Sequence, residues 1–208
     1  MRVTCCSDLH HGPVGHPAND ETPGWAEAWA AVPQPKYRLG DMDELWQFNA
    51  EEIGELAWTN VYGNHDRRPR SRAEICINDT IFVHGHQFDP RAIRWLGRPA
   101  CWLVGRLERW WPDADMRLGA WLQKRFGGGR HGEAEVYARK AAEYAVKRAA
   151  RQIVFGHLHQ RFELMPDGEL RSDSGRRGMR WKHLALGVHV VCTGCCCNGR
   201  MDFVEVEV

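Results

Sequence analysis

Ile153-Val154-Phe155-Gly156-His157-Leu158-His159 joins three consecutive apolar residues to a glycine and to two histidines one residue apart. So short a run of β-branched and aromatic residues predicts a buried strand. The glycine ends it, and the spacing that follows aims two imidazoles out of one turn. The same arrangement recurs upstream. Arg2–Cys6 leads into Ser7-Asp8-Leu9-His10, and Tyr37–Leu39 into Gly40-Asp41. Asn60–Tyr62 leads into Gly63-Asn64-His65-Asp66, and Thr80–Val83 into His84-Gly85-His86. Apolar stretches that each end in a polar cluster predict an α/β domain whose site gathers at the carboxyl ends of its strands.

The segments between these motifs fit that class. Trp25–Val32 reads as a short helix. Glu44, Leu45, Phe48, Glu52, Ile53 and Leu56 suit a second helix with an apolar stripe. Glu74–Ile77 and Thr80–Val83 read as a hairpin turning at Asn78-Asp79, and Glu133–Arg151 as a strong helix of Ala, Glu, Lys and Arg. The tail alternates strands and turns through Phe162–Met165, Pro166-Asp167-Gly168, Leu186–Val191 and Met201–Val208. The alternation of strands and helices predicts a single layered α/β domain over residues 1–208. Residues 90–151 are expected to form a helical, basic, tryptophan-rich insertion that caps the site.

Composition narrows the class. A chain of 208 residues, 43% hydrophobic and 26% charged, can bury a core without staples. The net charge of +1 argues neither for a general polyanion binder nor for an acidic one, but it hides an asymmetry. From Pro90 to Arg151 there are 14 Lys/Arg against 6 Asp/Glu, and elsewhere 14 against 21. No apolar run is long enough to span a bilayer, and the amino terminus turns polar at Ser7-Asp8, so a cytoplasmic protein is expected, with peripheral membrane contact open. Cys192-Thr193-Gly194-Cys195-Cys196-Cys197 holds half of the eight cysteines. A Cys192/Cys195 zinc pair is conceivable there, but reduced loop residues are the favoured reading because no second ligand pair stands at a matching spacing.

Six of the eleven histidines fall in the strand-end motifs. Carboxylates, imidazoles and an amide oxygen together suit divalent ions such as Mn, Fe, Zn or Co. An aspartate between two cations lowers their mutual repulsion, and an asparagine adds a donor without adding charge. One His-x-His pair alone is a weak signal. Five clusters in the same strand-then-loop context predict a metal site.

As a set, Ser7-Asp8-Leu9-His10, Gly40-Asp41, Gly63-Asn64-His65-Asp66, His84-Gly85-His86 and Gly156-His157-Leu158-His159 resemble the signature of the calcineurin-like metallophosphoesterase superfamily. The resemblance implies a four-layer α/β/β/α sandwich, two sheets flanked by helices, with two divalent metals at one edge, most readily Mn2+, with Fe, Zn, Co or Mg as alternatives. It implies that Asp8, His10 and His159 hold one metal, that Asn64, His84 and His157 hold the other, and that Asp41 bridges them. His65 is then the catalytic histidine, oriented by Asp66. The implied reaction is hydrolysis of a phosphomonoester or phosphodiester by hydroxide held between the metals.

The substrate is less determined. Asp41-Met42-Asp43-Glu44-Leu45-Trp46 and a helical insertion before the last His-x-His look like the branch containing UDP-2,3-diacylglucosamine pyrophosphatases. The chain departs from that branch at His65, where an arginine is expected, and at His86, where an aspartate is. A nucleotide-linked lipid therefore stands as an alternative to a phosphorylated small molecule or nucleotide. A nuclease and a non-catalytic scaffold are further alternatives, the first because tryptophans and arginines interleave in the insertion. His86, Arg94 and Arg98 are the expected substrate contacts.

Overall fold

The computed structural model describes residues 1–10, 22–42, 60–63, 66, 72–89, 99, 103, 106, 107, 130–172, 179, 180, 186–197 and 199–208. In chain order the elements are β1 (Arg2–Cys6), α1 (Trp25–Ala31), β2 (Lys36–Arg38), β3 (Glu74–Ile77) and β4 (Thr80–Val83), followed by a 3-10 turn at His86–Phe88. Then come α2 (Arg130–Lys147), β5 (Gln152–Phe155), β6 (Arg161–Leu164), β7 (Glu169–Ser172), β8 (Met179–Arg180), β9 (His189–Thr193) and β10 (Val204–Glu207).

Among the described residues the strands form two sheets. The smaller has the order β10-β1-β2, and the larger β3-β4-β5-β9-β6-β7-β8. β1 runs parallel to β2, and β4, β5 and β9 are mutually parallel neighbours, with Ile153 opposite both Ile81 and Val190. Parallel neighbours send their carboxyl ends to the same edge, and the polar motifs follow directly there.

Period-two alternation sorts the side chains into layers. In β4, β5 and β9, the residues Phe82, Val154 and Val191 point inward to meet Val3, Cys5, Leu39, Val204 and Val206 of the smaller sheet. The alternate residues Ile81, Val83, Ile153, Phe155, Val190 and Cys192 point the other way. There they meet the alanine stripe Ala134, Ala138, Ala141, Ala142 and Ala145 of α2. Alanine at a three-and-four spacing lets the helix approach the sheet closely. On the far side of the smaller sheet, Cys6 packs with Leu9, Trp25, Trp29 and Met42, so α1 covers that face. The layers are α1, small sheet, large sheet and α2, as the four-layer sandwich requires.

Several boundaries differ from the sequence reading. The strand expected at Leu186–Val191 occupies His189–Thr193, because Gly187 takes φ +71° and breaks the extended run. The last strand begins only at Val204, residues 201–203 being irregular. Asn60–Tyr62 contributes a single parallel bridge, Val61 to Arg72. β7 is mostly polar, with Arg171 exposed and its other positions half-buried, which left no apolar periodicity to read. The helix expected at 133–151 is α2, a layer of the sandwich itself. Residues 90–129 of the expected insertion lie almost wholly outside the described residues, as does the helix expected around 44–56.

Candidate metal centre

Four loops meet at the carboxyl edge of the sheets and are bonded in pairs through their backbones. The amide of Asp8 donates to Gly40 O at 3.1 Å, and those of Leu9 and His10 to Asp41 O at 2.9 and 3.1 Å. The Gly156 amide donates to His84 O at 2.8 Å. These bonds pair the first motif with the second and the fourth with the fifth, and the His157 amide, which donates to Asp8 Oδ2, links the pairs into one floor. Gly40 is required there: it takes φ +94°, and a Cβ would lie 2.6 Å from Gly63 N and 2.7 Å from His84 Nδ1.

Two sets of donors stand on this floor. Asp8, His10 and His159 form one, and Asp41, His84 and His157 the other, with the donor atoms of each set within 4.8 Å of one another. In the first, His10 Nε2 and His159 Nε2 are 3.1 Å apart, and His159 Nε2 is 3.3 Å from Asp8 Oδ1. In the second, His84 Nε2 lies 3.0 Å from Asp41 Oδ2 and 3.2 Å from His157 Nδ1.

Backbone strain concentrates in the same residues. Asp8, His10, Asp41, His157 and His159 have φ of 54°, 53°, 48°, 75° and 51°, in the left-handed region that L side chains rarely adopt. Among the described non-glycine residues only Asn78 and Ala149 share it, and both sit in turns. Each such residue costs of order 1 kcal/mol and persists only where its surroundings impose it. The strain aims the donors of each set at a common point.

The hydrogen bonds behind the donors choose their free atoms. His84 Nδ1 donates to Leu39 O at 2.8 Å, which leaves Nε2 facing Asp41. His157 Nε2 is 2.9 Å from Asp89 Oδ1, which leaves Nδ1 facing His84. Asp89 also accepts from the hydroxyl of Tyr137 on α2. Its carboxyl lies below the ordinary range, because the His157 contact outweighs the cost of burial. Sequence reasoning missed Asp89. The signal was its place five residues after His84, on the turn that follows the motif.

The electrostatics mark both sets as places for positive charge. Burial opposes ionisation of Asp8, but the hydrogen bond and charge of His159 hold it down to about 2. Its Oδ2 accepts from the His157 amide at 2.7 Å, while the buried Oδ1 has the His159 ring nitrogen 3.3 Å away. Burial likewise opposes charge on His84, yet Asp41 raises its pKa to about 9. Buried carboxylates beside imidazoles, and imidazole nitrogens facing one another across hydrogen-bond distance, fit divalent cations.

No family model and no curated protein matches the chain. A solved structure, the metallophosphoesterase from Sphaerobacter thermophilus, is similar across 100% of this chain and 84% of its own, with 13% identity and a TM-score of 0.47.

The structure thus brings together Asp8, His10, Asp41, His84, His157 and His159 of the expected ligands. Asn64, His65, Arg94 and Arg98 lie outside the described residues. Asp66 is buried beside Asp41, where it accepts from the amides of Gly63, Asp41 and Met42 at 2.6, 3.0 and 3.2 Å. It ties the second motif to the third, a backbone role beyond the expected orientation of His65. Burial and the nearby Asp41 charge raise it to about 6. His86 stacks obliquely between Tyr62 and His84, with ring centroids 5.7 and 5.5 Å away, and burial lowers it to about 4.

Proposed function

We propose that the chain is a metal-dependent phosphoester hydrolase using two divalent cations, Mn2+ being favoured over Fe, Zn, Co and Mg. The observation that carries this reading is the convergence of two His/carboxylate sets on one sheet edge, with five of their members in left-handed backbone. Asp8, His10 and His159 would hold one cation. Asp41, His84 and His157, with Asn64 as a further donor, would hold the other, and Asp41 would be shared.

Cations there would supply charge against the phosphate oxygens and lower the pKa of a water. The chain's own residues do the rest. Leu39 O and Asp89 fix the His84 and His157 rings, so that each presents one defined nitrogen. Asp66 holds the Asp41 loop against Gly63. His65 would give a proton to the departing ester oxygen. The substrate is a phosphomonoester or phosphodiester of a small molecule or nucleotide.

Metal analysis together with turnover of p-nitrophenyl phosphate and its bis ester by Mn-loaded protein tests this. Hydrolysis that needs added metal and is lost on chelation is expected. Full metal loading without turnover of either ester, or of a panel of phosphorylated metabolites and nucleotides, would overturn it.

A further inference from the structure

A third donor cluster adjoins the first set. Cys195, Cys197 and His159 offer two sulfurs and an imidazole nitrogen, all within 4.8 Å of one another. Cys197 Sγ lies 3.8 Å from His159 Nδ1, on the opposite side of the ring from the Nε2 that faces Asp8 and His10. We propose that this cluster is a separate binding site for a soft, thiophilic cation, Zn2+ above all, built from Cys195, Cys197 and His159.

The loop is built to present these sulfurs. Gly194 takes φ +85°, and a Cβ there would collide with the Asp202 carboxylate. Asp202 Oδ2 accepts from the Cys195 amide at 3.1 Å and is paired with Arg200 at 2.6 Å. Arg200 in turn donates to His159 O at 3.3 Å, which ties the cysteine loop to the histidine it faces. Alternation separates the thiols. Cys196 packs with Cys6, Leu9 and Trp25, while its two neighbours share the His159 side. Cys192 is buried in the core against α2 and donates to Gly156 O at 3.6 Å, so Cys197 and not Cys192 is the partner of Cys195.

Two thiolates and one imidazole select zinc, cadmium or cuprous ion over manganese or magnesium, because soft sulfur binds soft cations. Three protein donors leave a fourth position for water, and His159 is exposed enough to admit it. A neutral imidazole has a single lone pair. A cation on the thiols therefore takes His159 away from Asp8 and His10. The inference shares His159 with the proposed function but does not depend on phosphoester chemistry.

The test is titration of the reduced, chelator-treated full chain with Cd2+ alone, read by the ultraviolet thiolate-to-cadmium charge-transfer band. The band should saturate at one Cd2+ per chain, vanish in Cys195→Ser/Cys197→Ser and persist in Cys76→Ser, whose thiol is exposed and remote. Alkylation of the wild-type chain with mass spectrometry gives a readout that needs no variant: bound Cd2+ should protect Cys195 and Cys197. Absence of the band, or protection of other cysteines in their place, would overturn the proposal. The Asp/His sets contain no sulfur and give no such band, so an inactive esterase leaves this result unchanged.

Discussion

Asp89 lies 2.9 Å from His157 Nε2 and so decides which nitrogen of that ring faces His84 and Asp41. The contact crosses from the 3-10 turn after β4 to the loop after β5, and Tyr137 of α2 completes it. An outer helix is thereby coupled to the set of Asp41, His84 and His157.

Replacing Asp89 with Ala should weaken metal binding at the Asp41 set by about 10–100-fold, the usual cost of losing a carboxylate behind a ligating histidine. Mn2+ titration of the variant would show one weakened site and one unchanged. Equal weakening of both would contradict the assignment.

Metal affinity should rise with pH. In the metal-free protein His84 stays protonated up to about 9, so a cation must displace that proton to reach Nε2. Below 9 each fall in pH favours the proton over the metal, and above 9 the dependence levels off. Mn2+ affinities measured across that range would test the sign.

His65→Ala should leave metal content close to wild type and reduce turnover by about 10²–10⁴-fold, the range for loss of a general acid. Metal analysis and steady-state kinetics on the same preparation separate the two effects. Turnover equal to wild type would remove His65 from the mechanism.

Phe155 is fully buried and packs edge-on against Phe88 and Phe162, with centroids 5.6 and 5.8 Å away. Phe155→Ala should cost about 3–5 kcal/mol, through lost burial and the cavity left behind. Chemical denaturation of the metal-free protein would measure it. Because Gly156 and His157 follow directly, the variant should also bind metal less tightly.

The layers were legible because β4, β5 and β9 carry short apolar runs, and α2 an alanine stripe, whose periods are local properties of the chain. The pairs of polar side chains that the structure brings together were legible for the same reason: Asp8/His10 and His157/His159 are each separated by a single residue at a strand end. β7 was not legible, since a polar surface strand is set by its partner β6 and not by its own pattern.

Local sequence therefore determined which residues could serve as donors and that strands would carry them to one edge. Only the tertiary structure decided their grouping, because the contacts between Asp8 and His159 and between Asp41 and His84 span 151 and 43 residues of chain, respectively, by their numbering. It also chose Asp89 to face His157, and it turned Cys197, not Cys192, toward Cys195 and His159. Spacing along a chain states what a turn can present, whereas the direction of a side chain depends on the φ of its residue and on what packs behind it.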